Sequence, residues 1–133
     1  VSDALAMLNS SRGRIGYAPD DLAAAIALTQ DCAQTCTACA DACLSEPTVD
    51  QLLECITLDL DCADICTATA RVLSRQTRYR GSVTEAQLEA CRAACAACAA
   101  TCERHAGMHD HCRICAETCR QCEQACATLL SEG

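Results

Sequence analysis

The segment CRAACAACAATC, residues 91–102, places Cys91, Cys95, Cys98 and Cys102 at steps of four, three and four. Steps of that size stack side chains on one face of an α-helix. The alanine filler is the strongest helix former. A core helix would carry leucines at such positions; here the stripe is thiol. Three other segments repeat the pattern. QDCAQTCTACADAC carries Cys32, Cys36, Cys39 and Cys43. ECITLDLDCADIC carries Cys55, Cys62 and Cys66, with Asp59 in the missing place. HCRICAETCRQCEQAC carries Cys112, Cys115, Cys119, Cys122 and Cys126. At about 100° per residue each set falls within a narrow arc. The four stripes account for all 16 cysteines.

The punctuation between the stripes predicts where the helices start and stop. DALAMLN is a short amphipathic piece, followed by a linker with Ser10, Ser11, Gly13 and Gly16. Pro19 opens the first long helix, with acids in its first turn. Pro47 ends the next connection, and Thr48 is a candidate cap for a second helix running from Val49 to about Arg78. Its basic end, Arg71 to Arg80, suits the helix dipole, and Gly81 is expected to break it. Thr84 with Gln87 three residues on reads as a capping box for the third helix. Gly107 stops that helix, and Asp110 can cap the fourth. Four long helices with three short connections predict an all-α, antiparallel up-down-up-down four-helix bundle. The expected organisation is one domain, with a short N-terminal helical segment at 1–18 and the bundle at about 19–131.

In that topology the thiols crowd towards the end holding Pro47 and Gly107. At the other end Leu28, Leu73, Leu88, Leu129 and Leu130 continue the seams. The sequence therefore predicts a thiol-lined tube with an apolar plug at one end.

Two alternatives to a metal-binding tube weaken on composition. A chain this rich in cysteine is usually a disulfide scaffold, but such scaffolds are short and rich in turns. This one has five Gly and two Pro, and its cysteines lie inside helical patterns. Neighbours on one helix face have Cβ atoms about 5–6 Å apart, while a disulfide wants about 3.5–4.5 Å. Bridges within one helix would be strained; bridges between helices meet no such barrier. The formal net charge of −8 argues against nucleic acid and against anionic membrane surfaces as partners. No apolar run is long enough to span a bilayer. The start VSDALAMLNSSRGR lacks the basic head and continuous apolar stretch of a secretory signal, so the expected location is cytoplasmic.

Facing thiols suit a soft metal. Thiolates select Cu(I), Zn(II) and iron–sulfur clusters, and charge separates these. A Cu(I) with one thiolate is neutral, and bridging thiolates let an array hold about one Cu(I) per cysteine, on the order of 16 ions, with little net core charge. Each Zn(II) in a four-cysteine site carries a net charge of about −2, which is costly to repeat along a dry tube. The CxxC pairs Cys36–Cys39, Cys95–Cys98, Cys112–Cys115 and Cys119–Cys122 are weak zinc or redox signals by themselves. The reading is a non-enzymatic Cu(I) store holding multiple ions per chain. Its rivals are a zinc or cadmium thiolate sink and a redox-active thiol reservoir. The second would need an exposed, low-pKa cysteine near a helix N-terminus, a place that Cys112 alone occupies.

Taken together, the four stripes resemble the bacterial copper storage proteins, which are cysteine-lined four-helix bundles. The resemblance covers about residues 20–130. It implies a preformed bundle whose cysteines bind many Cu(I) ions, assembled as a tetramer, and it is closer to the family's cytosolic branch. Asp59 and Thr69 depart from an even cysteine lining. Asp59 either ligates metal at one point or is an acid near the bundle end that reaches solvent.

The expected mouth of the tube carries His105, Met108, His109 and His111 within seven residues. Imidazole and thioether both bind Cu(I), more weakly than thiolate does. By helical phase His105 leads as an uptake ligand, because it continues the stripe from Cys102. Met108 and His109 follow and His111 comes last. The bland alternative is a set of solvated loop histidines. Leu53, Ile56 and Leu60 form an apolar strip on the outer face of the second long helix, where a bundle helix should be polar. Either the N-terminal piece or another subunit is expected to cover it.

Overall fold

A computed structural model describes residues 2–132. It contains α1 (Ala4–Ser10), α2 (Pro19–Leu44), a single 3-10 turn (Val49–Gln51), α3 (Leu53–Leu73), α4 (Gly81–His105) and α5 (Asp110–Glu132). There is no strand among the described residues. The long helices form a ring: α2 packs against α3 and α5, and α4 packs against the same two. The short α1 lies on α2. This is the antiparallel bundle that the stripes predict. The connections 45–52 and 106–109 lie at one end, and the connection 74–80 lies at the other with α1.

The packing explains the composition. One leucine from each helix, Leu22, Leu73, Leu88 and Leu129, is fully buried, each contributing roughly 1.5–3 kcal/mol. With no Phe or Trp in the chain, the rest of the axis is filled by thiols and alanines. Between the thiols and the leucines, Thr29 and Thr69 are also fully buried. Each returns its hydroxyl to its own helix: Thr29 Oγ1 donates to Ala25 O at 2.9 Å, and Thr69 Oγ1 to Ile65 O at 2.7 Å. Gln87 of α4 donates from Nε2 to Thr69 Oγ1 at 2.9 Å. Both buried hydroxyls are thereby satisfied by protein partners.

Several local expectations are corrected. α3 ends at Leu73 rather than near Arg78. Gln76 folds back, its Nε2 donating to Leu73 O at 2.9 Å, while Ser74 Oγ caps Ala70 O at 2.7 Å. The Gln76 bond occupies Leu73 O, a carbonyl that helix continuation would use, and the Ser74 hydroxyl adds to the backbone bond already made to Ala70 O. Only Arg71 of the basic run lies in the last turn. Residues 49–51 form the 3-10 turn, and Thr48 makes no side-chain cap. Gly81 does not break a helix; it begins α4. Thr84 is therefore inside the first turn and buried, its backbone N–H donating to Arg80 O, and Gln87 is spent on Thr69 rather than on a capping box. Asp110 is the first residue of α5 and does not precede it as a cap; His109 stands just before the helix, where its carbonyl accepts from Cys112 N and Arg113 N at 3.1 and 3.2 Å. Leu28 is only half-buried; Leu22 and Ile26 take the inward positions of α2.

The leucine end is held shut by side chains crossing it. Gly16 N donates to Gln76 Oε1 at 3.0 Å, Ala18 N donates to Glu132 Oε1 at 2.8 Å, and the Tyr17 and Tyr79 hydroxyls lie 3.0 Å apart. A Cβ on Gly16 would stand 3.2 Å from the Tyr79 ring, so the linker passes there because residue 16 has no side chain. α1 does not reach the outer strip of α3: Leu53 and Leu60 are exposed, at 60% and 46%.

Candidate metal centre

All sixteen cysteines are free thiols and all are buried. Their placement follows from the helix period: each stripe faces the axis of the ring, and the ring brings stripes from different helices together. Sulfur–sulfur contacts between helices include Cys55–Cys102 at 3.4 Å, Cys36–Cys119 at 3.5 Å, Cys32–Cys119 at 3.7 Å and Cys66–Cys91 at 3.8 Å.

The thiols divide into overlapping groups of four ligands, each group with its ligand atoms within 4.8 Å of one another. Nearest the 45–52 and 106–109 connections stand Cys39, Cys43, Cys112 and His111. Next come Cys39, Cys102, Cys115 and Asp59. Deeper are Cys36, Cys98, Cys115 and Cys119, then Cys32, Cys36, Cys62 and Cys119, then Cys32, Cys66, Cys95 and Cys122. Each group shares at least one ligand with the next: Cys39, then Cys115, then Cys36 with Cys119, then Cys32. The result is a ladder of contiguous coordination positions, not a set of isolated sites. Cys91 and Cys126 extend it towards the leucine plug, beside Cys122.

Asp59 belongs to the ladder. It is fully buried, which removes the reading in which it reaches solvent. Its Oδ1 accepts from Cys98 Sγ at 3.0 Å, Cys115 Sγ at 3.2 Å and Cys102 Sγ at 3.6 Å, and Oδ2 accepts from Cys55 Sγ at 3.9 Å. Burial pushes its carboxyl up to about 8. It is one oxygen donor among four thiols.

At the mouth the phase argument is corrected. His111, ranked last, is the histidine brought to the thiols: its Nδ1 lies 3.5 Å from Cys39 Sγ, 3.6 Å from Cys112 Sγ and 3.9 Å from Cys43 Sγ. Helical phase fails because α2 and α4 end here, so a side chain turned off the axis can lean over the rim. His105 Nδ1 is buried without a hydrogen-bond partner, so it is not bonded to a thiol. Met108 is 66% exposed. His109 Nδ1 stands 2.9 Å from Glu46 Oε2 and not on a thiol. The signal for His111 in the sequence was its adjacency to Cys112; nothing local showed that the 45–52 connection would meet it.

The surroundings of Cys112, the one cysteine near a helix N-terminus, speak against a redox-reactive thiol there. Cys112 is fully buried, and desolvation pushes it up to about 11. Burial likewise raises Cys43. A nucleophilic cysteine needs the opposite, a lowered pKa with access to solvent.

A closed bundle with a continuous ladder of soft ligands defines a class, the thiolate metal-binding helical bundles. Comparison with known proteins narrows it. Residues 18–131 match the family described as copper storage protein, and the chain belongs to that family. The copper storage protein Ccsp from Streptomyces lividans, in a structure loaded with 10 copper equivalents, is 55% identical; the match covers 98% of this chain and 99% of that one, with a TM-score of 0.96. A cytosolic copper storage protein from Streptomyces lividans, in a structure of copper loading with five coppers, is 62% identical over 84% of this chain and 93% of that one, with a TM-score of 0.83. A Ccsp variant from the same organism with two histidines replaced by alanine is 58% identical over 89% of this chain and 99% of that one, with a TM-score of 0.87. Among curated proteins nothing matches the chain.

Proposed function

We propose that this chain stores Cu(I) as a non-enzymatic, multi-ion thiolate array inside a single preformed bundle domain. The observation that carries the reading is the sharing of ligands between successive groups. A shared thiolate bridges two ions, so the array fills along the tube and stays near neutrality at one Cu(I) per thiolate. A chain of separate Zn(II) sites would need four thiolates each and would accumulate negative charge in a dry core. The proposed ligands are the sixteen cysteines, with Asp59 as an oxygen ligand and His111 at the mouth. His109 lies beside it as an outer donor. His105, whose Nδ1 has no hydrogen-bond partner, and Met108, exposed to solvent, drop out of the proposed ligand set.

Loading displaces protons. Cys43 and Cys112 are raised by burial, so they enter the reaction as S–H, and each Cu(I)–thiolate bond formed from a thiol releases a proton. Uptake weakens as pH falls. Leu22, Leu73, Leu88 and Leu129 close the bundle with no metal ligand among them, so uptake fills a rack and does not fold one.

The relative of 62% identity is cytosolic. The same compartment suits sixteen free thiols, which persist where the environment is reducing. No helix among the described residues is long and apolar enough to cross a membrane. A homo-oligomer is the proposed assembly. It is supported by Leu53 and Leu60, which lie exposed on α3 with α1 seated elsewhere.

The test is an anaerobic Cu(I) titration of the reduced protein against a competing chelator. The expected result is saturation at on the order of 16 ions, one per thiolate. Ultraviolet thiolate-to-copper absorption should grow throughout, helix content should stay constant, and about one proton should leave per ion. Saturation at a few ions, or equal competition by Zn(II), would overturn the reading.

A further inference from the structure

Glu46 is no part of the Cys39, Cys43, Cys112 and His111 group at the mouth, yet it holds two of the histidines there. Its Oε2 lies 2.8 Å from His111 Nε2 and 2.9 Å from His109 Nδ1. The two imidazoles are stacked, with ring centroids 5.3 Å apart and planes 16° from parallel. All three side chains are mostly shielded from solvent, the histidines at 23% and 16% exposure and Glu46 at 24%. The backbone fixes the carboxylate to the thiols as well: Glu46 N donates to Cys43 O at 3.2 Å, and Val49 N donates to Glu46 O at 3.2 Å. The acid is carried by the same turn that ends the Cys39–Cys43 stripe.

We infer that Glu46 is a positioning residue for copper uptake, which holds His111 in the one tautomer whose free Nδ1 lone pair faces Cys39, Cys43 and Cys112. The inference rests on the reading of the tube as a Cu(I) store. An ionised carboxylate only accepts hydrogen bonds, so the ring nitrogen facing it must carry the proton. In neutral His111 that nitrogen is Nε2, and the lone pair is left on Nδ1, the atom 3.5–3.9 Å from the three sulfurs. The other tautomer would point an N–H at the incoming ion and could not ligate it. The bond made by one ring nitrogen decides what the other can do. Glu46 itself stays outside the coordination sphere, turned to the far side of the ring. Its second bond holds the Nδ1–H tautomer of His109 and locks the stacked pair, so that His111 does not swing off the rim between visits by metal.

The experiment joins spectroscopy to binding. Long-range proton–nitrogen correlation NMR of the reduced, metal-free protein at pH 8 reads the tautomer directly. The wild type is expected to show His111 protonated at Nε2. Glu46→Ala is expected to give a tautomer mixture and to weaken the first Cu(I) bound by about 10–100-fold, the usual reach of such outer partners. Glu46→Gln retains an acceptor oxygen and should restore most of both signals. Thermal unfolding and total copper capacity should stay as in the wild type in both variants. In a His111→Ala background, Glu46→Ala should add nothing.

A wild type with His111 protonated at Nδ1 overturns the inference. So does an equal loss from Glu46→Ala with His111 already removed, since the acid would then act by itself. Unchanged first-ion affinity in Glu46→Ala, in a protein that loads normally, overturns the positioning role alone. A wild type that shows the Nε2–H tautomer but takes up no Cu(I) overturns the store reading and the uptake role with it.

Discussion

At the plugged end Leu22, Leu73, Leu88 and Leu129, one from each long helix, are fully buried. At the mouth the same four helices supply Cys43, Cys55, Cys102 and Cys112, also buried. The backbone geometry is the same at both ends, but the chemistry is opposite. Leucine fills its space by dispersion and exclusion of water, so that end is made to be stable. Thiols fill less volume and hold soft donors, so the other end is made to receive something. Charge follows the same division. Arg12, Arg14, Arg71, Arg75, Arg78 and Arg80, six of the ten basic residues, lie in the segments at the plugged end. The mouth has the acid Glu46 among histidines. A cation approaching the molecule meets less repulsion at the mouth. The bundle therefore separates the residues that hold it together from those that do its work.

That separation can be tested by breaking each end in turn. The largest effect is expected at the plug. Leu129→Ala or Leu73→Ala should destabilise the reduced, metal-free protein by about 2–5 kcal/mol in denaturant unfolding, while copper capacity stays that of the wild type. A loss of capacity equal to that from removing a cysteine would show that the two ends are not separable.

Asp59 should dominate the pH dependence of the metal-free protein. Its folded pKa is about 8, against 3.8 as the ordinary value. Between these limits the folded state keeps a proton that the unfolded state has lost. Stability contributed by the protonated acid is therefore complete below about pH 4 and falls as pH rises towards 8, by a total on the order of a few kcal/mol. Asp59→Asn should flatten that slope in unfolding curves recorded across the range. A variant as pH-sensitive as the wild type would assign the slope to the thiols instead.

A smaller effect is expected at the rim. His111→Ala should weaken the first copper ion by about tenfold or more, as loss of one ligand from a group of four. It should shift unfolding by less than about 0.5 kcal/mol, because the ring is partly exposed. His105→Ala serves as the contrast and should leave the first ion unaffected. The reverse order would return the uptake role to the residue that helical phase favours.

The smallest effect tests the outside of the molecule. Arg120 clamps Glu103 across α4 and α5 through Nε and Nη2 at 3.0 and 2.8 Å. Both side chains are more than 40% exposed, so solvent screens the pair. Arg120→Gln should change stability by less than about 1 kcal/mol and copper binding not at all.

Much of this was open to inspection in the one-dimensional chain. The steps of three and four in CRAACAACAATC and its three counterparts are a local property. They follow from the helical period, so they identify the thiol faces, the bundle and the plugged end without coordinates. Helix ends were less legible. Thr84 and Gln87 looked like a capping box, but Gln87 hydrogen-bonds to Thr69, and Gln76, which carried no signal in the sequence, ends α3 and accepts from Gly16. A partner 60 residues away does not announce itself in a window of four.

The sequence by itself determined which residues face inwards, because the side-chain direction within a helix is set by its own backbone. Only the tertiary structure decided how the stripes mesh. The rotation and slide of one helix against another join Cys39 to Cys102 and Cys36 to Cys119, bury Asp59 among four sulfurs, and hang His111 over the rim with Glu46 behind it. Those relations depend on packing across helices, where no period in the chain can fix the register.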